Sequence, residues 1–289
     1  MQFIKMHGLG NDYVYLDCLN GPEPKDPVSL ARRLSNRNFG VGSDGLVLIL
    51  PSADADLRMR IWNADGSEAQ MCGNATRCVG KYAYEHNLVR KKTITLATAA
   101  GIKVLSLDVD QKGKVRRVKV DMGKPQLAAS QIPMNIESPT ERVVNHELLA
   151  GGQKWRFSAV SMGNPHCVIF VPEVETLPLS EIGPAIERHA IFPERTNVEF
   201  VKVLGPRRLR MRVWERGSGE TMACGTGASA VTVAAVLTGL VPKGETTAVV
   251  LNGGELEIEW AEDEHVYMTG PATEVFTGQL SQDFLTEGD

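Results

Sequence analysis

The sequence contains few cysteines, and they do not form the pattern of a disulfide-bonded or zinc-binding protein. Five occur among 289 residues, an odd number at irregular spacing, whereas a disulfide framework uses an even set. Short Cys-x-x-Cys pairs and paired histidines, the usual spacings of zinc sites, are also missing. We therefore expect a protein of a reducing compartment, the cytoplasm, with no metal site.

Excess positive charge is missing as well. Lysine and arginine number 31 against 35 acidic residues, a formal net charge of −4, so no nucleic-acid partner is expected. The N-terminal segment lacks the apolar core of a signal peptide. The stretch between Glu220 and Lys243 carries no charge and approaches the length of a membrane span. Only residues 228–241 read as an apolar helix, which is too short to cross a bilayer. We therefore expect a buried helix and no membrane partner.

What the sequence does contain is an internal repeat. A Gly-Ser pair and a Met-rich approach precede Cys-Gly at Cys72 and again at Cys224, and 16 residues after each cysteine the apolar stretch ends in Leu-Val. The same offset of 152 carries Gly101 onto Gly253, each before a strand-like alternating run. Near the start of each half, Gly-Asn followed by strand residues recurs in "GNDYVYLD" and "GNPHCVIF". Agreement at separate landmarks indicates a duplicated architecture.

The repeat predicts the fold class. The chain is long enough to bury a full core, and we expect an α+β fold of two pseudo-symmetric domains from an internal duplication. In each domain a mostly antiparallel sheet wraps around a central helix. We place the first domain, with Cys72, at 1–117, completed by a return segment at 265–289. The second, with Cys224, is placed at 118–264.

The two matched cysteines, Cys72 and Cys224, each precede a helix-compatible segment. A helix start presents free N–H groups and a positive dipole end, which lower the pKa of a thiol and bind a carboxylate. If the pseudo-twofold axis brings both starts to one cleft, two thiols face each other. Such a pair can invert a carbon that carries an acidic hydrogen, because one thiolate removes a proton and the opposite thiol delivers one. That chemistry requires neither a metal nor pyridoxal.

Other cysteines and polar residues, each considered alone, are most simply interpreted as structural. Cys18, Cys78 and Cys167 are interpreted as core residues. A lone histidine such as His166 is usually structural, although it could accept a thiol proton. Arg216, suited to hold a carboxylate, is otherwise a surface residue, and the asparagines discussed below sit in turns. The literal G-x-G-x-x-G in "GVGSDG" precedes a strand instead of following one, so a nucleotide site is rejected.

Together these segments resemble the diaminopimelate epimerase family. The resemblance rests on "MHGLGNDYV", "NADGSEAQMCGN", "VSMGNPH", "ERTNVEF" and "WERGSGETMACGTGAS", in that order from residue 6 to 229. It implies the fold of two pseudo-symmetric domains described above. The implied activity is cofactor-independent interconversion of LL- and meso-diaminopimelate, on the route to lysine and peptidoglycan. The substrate is then a small molecule, and the oligomeric state is left open, a homodimer included.

The resemblance also implies roles for individual residues. Cys72 and Cys224 would be the acid/base thiols, supported by His166 and by Glu215 respectively, with Glu215 also beside the substrate. Backbone groups would hold the reacting carboxylate at Gly73, Asn74, Gly225 and Thr226. A polar set would grip the distal amino-acid end: Asn11, Asn63, Asn164, Asn197 and Arg216.

Three positions depart from the family pattern. Ala75 and Thr76 follow "CGN", where the family commonly has glycine first, and Gly45 stands where some members carry glutamine. Ala75 and Thr76 adjoin the carboxylate-binding helix start, so we expect them to tune the choice of substrate. The alternatives are a two-thiol racemase of this fold acting on another amino acid, a thiol redox or metal-binding protein, and a fold relative that only binds.

Overall fold

A computed structural model describes residues 1–286 of the chain. The chain divides into two compact units, the first comprising Met1–Val120 with the residues from Gly270 on, and the second Asp121–Thr269. The domain limits at 117/118 and 264/265 stay predictions. The end of the predicted return segment, 287–289, lies outside the described residues.

The strands and helices follow one another along the whole described chain. In order they are β1 Gln2–Gly8, β2 Asn11–Asp17, α1 Pro27–Ser35, β3 Gly45–Leu50, β4 Leu57–Asn63, β5 Glu68–Ala69, α2 Gly73–Glu85, β6 Thr93–Thr98, β7 Gly101–Val109, β8 Val115–Gly123, a short 3-10 turn Ala129–Gln131, β9 His146–Ala150, β10 Gln153–Ser161, β11 Pro165–Phe170, α3 Leu179–Glu187, β12 Asn197–Gly205, β13 Arg208–Glu215, β14 Gly219–Glu220, α4 Gly225–Leu237, β15 Thr247–Leu251, β16 Gly254–Trp260, β17 Val266–Gly270, β18 Thr273–Gln279 and α5 Gln282–Thr286.

The first unit is a mostly antiparallel sheet around α2. Its strands pair in the order β18–β1–β2–β3–β4–β6–β7–β8, with β2/β3 and β4/β6 parallel. The helix α2 packs against β1, β2, β7 and β18. An apolar cluster that includes Leu34 of α1, Leu48 of β3 and Trp62 of β4 packs α1 against the sheet.

The second unit repeats this topology. Its strands pair in the order β9–β10–β11–β12–β13–β15–β16–β17, again with the third and fourth strands and the fifth and sixth strands parallel. The helix α4 packs against β10, β11, β12 and β16, and α2 and α4 have the same length, 13 residues. The predicted duplication, with a sheet around a central helix in each half, is confirmed by these pairings.

One landmark of the repeat is corrected by a single residue. In the β6–β7 hairpin Thr98 pairs with Gly101, and in the β15–β16 hairpin Leu251 pairs with Gly254. Gly101 and Gly254 both adopt positive φ, of 89° and 138°, a region that glycine enters without steric cost. The counterpart of Gly101 is therefore Gly254 and not Gly253. The amino-acid sequence does not show φ or hairpin register, and these identify the equivalent glycines of the two halves.

The uncharged stretch between Glu220 and Lys243 forms a buried helix, as expected, but the helix begins and ends at other residues than predicted. The helix α4 covers Gly225–Leu237 and is buried nearly all round, which explains an apolar surface without a polar face. The segment predicted at 228–241 therefore starts earlier and ends before the positive-φ residue Gly239. Across residues 1–286, none of the helices has the length and apolarity needed to span a membrane.

Candidate active site

Both matched cysteines stand at the start of a central helix. Cys72 is the N-cap of α2, with φ −135° and ψ 116°, and Cys224 is the N-cap of α4, with φ −119° and ψ 109°. These extended conformations mark the residue where the chain enters each helix, so both thiols lie beside the first turn, whose N–H groups have no carbonyl partner within the helix. The predicted helix starts are confirmed.

In the first unit, Cys72 adjoins two of the predicted asparagines. The Cys72 thiol donates to Oδ1 of Asn11 at 3.4 Å, and Nδ2 of Asn74 donates to the same oxygen at 3.1 Å. Nδ2 of Asn11 donates in turn to Oδ2 of Asp44 at 2.8 Å. The carboxylate accepts from the amide NH₂, which fixes the oxygen of Asn11 toward Cys72.

A buried arginine holds this arrangement from within the helix. Arg77 is fully buried, and Nη2 donates to Oδ1 of Asn74 at 2.8 Å. Nη1 donates to Gly73 O at 3.3 Å, and Nε to Pro271 O at 3.1 Å. A Cβ at Gly8 would lie 2.8 Å from Nη2, so glycine leaves the guanidinium its space. Arg77 therefore orients the amide of Asn74.

Asn63 lies in the same unit but not in this cluster. It ends β4, where it pairs in register with Gly45, and its Nδ2 donates to Oγ of Ser67 at 3.0 Å. In the repeat, the last residue of the corresponding strand β13 is Glu215. One half thus presents an amide at the strand position where the other presents a carboxyl group.

In the second unit, Cys224 lies against Glu215 and the first turn of α4. Sγ accepts from the N–H of Gly227 at 3.4 Å and lies 3.5 Å from Oγ1 of Thr226. Glu215 accepts a hydrogen bond from Thr221 Oγ1. Burial raises the pKa of Glu215, an effect that Thr221 and the neighbouring Cys224 thiol oppose. A carboxyl group with a raised pKa beside a thiol is suited to exchange protons with it.

The expectation of a lowered thiol pKa is wrong for Cys224. Burial, which disfavours the thiolate, raises its pKa well above the ordinary value, and the charges of Glu215 and Glu199 add to this rise. The hydrogen bonds from Thr226 and from Gly227 N–H act in the opposite direction but are smaller. Desolvation therefore outweighs the helix start, and Cys224 is a thiol at neutral pH.

His166 lies in the same unit, on β11, and is fully buried. Its Nδ1 is 2.6 Å from Oε1 of Glu199, and its Nε2 is 3.0 Å from Oδ1 of Asn164. The side chain thus bridges a predicted substrate-binding asparagine and a carboxylate that the sequence analysis did not select.

Asn197 and Arg216 are joined through the backbone. Nδ2 of Asn197 donates to Pro165 O at 2.8 Å, and the backbone N–H of Arg216 donates to Oδ1 of Asn197 at 2.9 Å. The exposed guanidinium of Arg216 donates to Glu194 O at 3.1 Å. The buried amide of Asn197 therefore fixes the peptide from which the Arg216 side chain extends.

Sequence reasoning missed several supporting residues. They are Asp44, Arg77, Glu199 and Thr221. The signal was present for Glu199, since "NVEFV" places one carboxylate in an otherwise apolar buried strand, where a charge requires a partner. Asp44 lies in "GVGSDG", a segment considered only as a nucleotide site and rejected as one.

The three departures from the family pattern lie in closely packed surroundings. A Cβ at Gly45 would lie 2.0 Å from Trp62 O, so glycine is a packing requirement of the β3–β4 pair in this chain. Ala75 and Thr76 are fully buried, and Oγ1 of Thr76 has no hydrogen-bond partner within residues 1–286.

The remaining cysteines lie in the core, as expected. Cys18, Cys78 and Cys167 are buried, and no disulfide joins any of the five cysteines, all of which lie within residues 1–286. Burial raises the pKa of Cys78 to about 11 and that of Cys167 well above its ordinary value. Over the described range 1–286, no group of three or more His, Cys, Asp and Glu side chains is placed to hold a metal ion.

Comparison with known proteins gives matches along most of the chain. The profile of a family described as diaminopimelate epimerase matches residues 3–128 and 158–275. The diaminopimelate epimerase of Pelotomaculum thermopropionicum is 55% identical over 280 residues, covering 96% of this chain and 98% of that protein. That of Methanococcus maripaludis strain S2 is 53% identical, covering 97% and 99%.

A solved structure with a much more distant sequence shares the fold. The phenazine biosynthesis protein of the PhzF family from Bacillus anthracis superposes with a TM-score of 0.70 at 16% identity, covering 97% of this chain and 99% of that one. With the family match, this confirms the predicted fold class.

Proposed function

This chain belongs to the diaminopimelate epimerase family, and from this membership we propose that it interconverts LL- and meso-diaminopimelate, on the route to lysine and peptidoglycan. The observation that carries the proposal is the pair of cysteines at corresponding helix starts, each with polar partners of its own. In the first unit these partners are Asn11 and Asn74, and in the second they are Glu215 and Thr226.

The proposed reaction is a two-base proton transfer at the α-carbon. In one direction Cys72 removes the α-hydrogen as a thiolate, and Cys224, a thiol because of its burial and the neighbouring carboxylates, delivers a proton to the opposite face. In the reverse direction Cys224 is the base, and Glu215 takes its proton before turnover. His166 supports Cys72 in the same way. Each positioned acid or base contributes about 10²–10⁴-fold to the rate.

The first turns of α2 and α4 bind the reacting carboxylate in this proposal. Backbone N–H groups at Gly73, Asn74, Gly225 and Thr226 donate hydrogen bonds to this carboxylate and stabilise the negative charge that develops on it as the α-hydrogen leaves. Because fixed dipoles supply this stabilisation, the proposed reaction needs no cofactor.

The remaining polar residues recognise the second amino-acid end of the substrate. Asn11 is supported by Asp44, and Asn197 is fixed between Pro165 O and Arg216 N–H, so their amides are oriented before substrate arrives. Asn63, Asn164 and Arg216 complete the set. We also propose a cytoplasmic location, since reactive thiols persist in a reducing compartment. A homodimer stays a prediction.

Proton exchange measured by NMR tests the proposal. Reduced protein is incubated with LL-diaminopimelate in D₂O, and the α-hydrogen signal and product stereochemistry are followed. Exchange together with meso product, in the absence of added cofactor, is expected. No exchange from folded, reduced protein contradicts the substrate assignment. Exchange only with amino acids that lack the distal end favours a two-thiol racemase of other specificity.

A further inference from the structure

Glu199 is a buried carboxylate that the proposed reaction does not use. It lies on β12 and is fully buried, with Oε1 2.6 Å from Nδ1 of His166. Its second oxygen, Oε2, is buried and has no hydrogen-bond partner within residues 1–286. Burial of a charge is costly unless hydrogen bonds satisfy it, so this carboxylate calls for an explanation beyond packing.

The fold itself does not demand a charge at this position. In the second unit Val168 pairs with Glu199, and in the first unit the corresponding pair is Tyr15 with Val47. The equivalent position of the repeat is thus filled by a buried valine. The same topology accepts an apolar side chain there, so Glu199 serves something particular to the second unit.

The carboxylate also adjoins the helix start that bears Cys224. A Cβ at Gly227 would lie 2.8 Å from Oε1 of Glu199 and 3.2 Å from Sγ of Cys224. Glycine therefore lets the carboxylate approach the first turn of α4. The groups whose charges act on Cys224 are Glu215 on β13 and Glu199 on β12, and after burial both raise the pKa of its thiol.

We propose that Glu199 is a positioning residue with two effects: it fixes the ring of His166 by accepting the Nδ1 hydrogen, and it keeps Cys224 a neutral proton donor. With Nδ1–H held by the carboxylate, the ring is oriented so that Nε2 faces Oδ1 of Asn164, a predicted substrate-binding residue, at 3.0 Å. A negative charge already present beside the thiol disfavours a second one. The inference rests on the proposed function, in which His166 and Cys224 both handle protons.

The first test uses the unsubstituted protein. Long-range ¹H–¹⁵N correlation of labelled histidine reports which ring nitrogens of His166 carry hydrogen, and the signal is assigned by its loss in His166→Gln. We expect Nδ1 to be protonated. A ring protonated only at Nε2 overturns the proposal, whatever the behaviour of any variant.

The second test is Glu199→Gln, which preserves shape and an accepting oxygen but removes the charge. Titration of ¹³Cβ-labelled cysteine, assigned with Cys224→Ser, follows the thiol of Cys224. We expect its midpoint to fall by about one pH unit. We expect kcat to fall by about 10–100-fold with little change in KM, as when the partner of a metal-bound histidine is lost.

Glu187→Gln is the matched control. Glu187 is a buried carboxylate of the same unit, hydrogen-bonded to Trp214 Nε1 at 2.9 Å and to Gly217 N at 3.1 Å. Removing the charge of this carboxylate should leave the titration midpoint of Cys224 and the NMR signals of His166 at the values of the unsubstituted protein. A folded Glu199→Gln protein that matches this control in midpoint and kcat overturns the proposal. Absence of exchange activity in the parent contradicts the proposed function instead, because both spectroscopic readouts are made without substrate.

Discussion

Arg77→Met should destabilise the first unit and impair its cysteine site together. The guanidinium donates to Gly73 O, Asn74 Oδ1 and Pro271 O, and methionine fills part of the volume but donates to none of them. Asn74 then loses the contact that orients its amide, and Asn11 loses a fixed donor to the oxygen that faces Cys72. Stability and activity are therefore coupled through one side chain.

The size of the effect follows from the acceptors left behind. A buried acceptor deprived of its donor costs about 1–3 kcal/mol, so three of them, taken at the low end, give roughly 3 kcal/mol. At about 3 °C per kcal/mol for a domain of this size, the melting temperature should fall by roughly 9 °C. Arg77→Lys should recover only part of this loss, because a single ammonium cannot reproduce the planar fork.

Thermal and urea unfolding, read by circular dichroism, measure the loss, and epimerisation rates are recorded on the same samples. Arg58→Met is the control: the same change at an exposed position of β4, expected to alter stability by less than about 0.5 kcal/mol. If Arg77→Met unfolds at the temperature of the control and keeps full activity, the supporting role assigned to the guanidinium is wrong.

Three further predictions follow from the same contacts. Cys72→Ala and Cys224→Ala should each lower the exchange rate by at least about 10²–10⁴-fold, measured by α-hydrogen exchange in D₂O. Gly45→Ala should destabilise the protein by about 3 kcal/mol or more in urea unfolding, because its Cβ would meet Trp62 O at 2.0 Å. Stability should also fall at alkaline pH: burial raises the pKa values of Cys224 and Cys167 in the folded state, so the unfolded chain loses these protons first. The contribution of each such thiol to the free energy of unfolding is fully present below about pH 8.5, and it falls by about 1.4 kcal/mol per pH unit above that value. Urea midpoints from pH 8 to 10 measure this fall.

Each of these predictions has an outcome that contradicts it. Near-parental exchange in either cysteine variant rejects the two-thiol mechanism. A Gly45→Ala protein that unfolds with the parent shows that β3 and β4 can separate without cost. For the alkaline effect, Cys167→Ala should flatten the decline in stability with pH, and an unchanged slope shows that this thiol does not supply it.

The sequence alone determined the repeat, the two helices that start after the cysteines, and the residue types around them. The two helix starts are local features, since each Cys-Gly is followed by a stretch of sequence compatible with a helix. Among the residues chosen from family segments, Asn11 and Asn74 lie beside Cys72, and Glu215 and Thr226 lie beside Cys224. Asn63 lies outside the cluster around Cys72. The correction from Gly253 to Gly254 shows the limit of such matching, because only the hairpin register and φ identify the equivalent residue.

Only the tertiary structure shows which buried charged residues contact and orient the candidate site residues. Glu199 and His166 are separated by 33 positions and Arg77 and Pro271 by 194, and only strand register or chain return brings them within hydrogen-bond distance. The pKa of Cys224 was decided in the same way. A helix start alone favours the thiolate, but burial and two carboxylates from neighbouring strands outweigh it, and desolvation depends on everything packed around a group, which no short stretch of sequence contains.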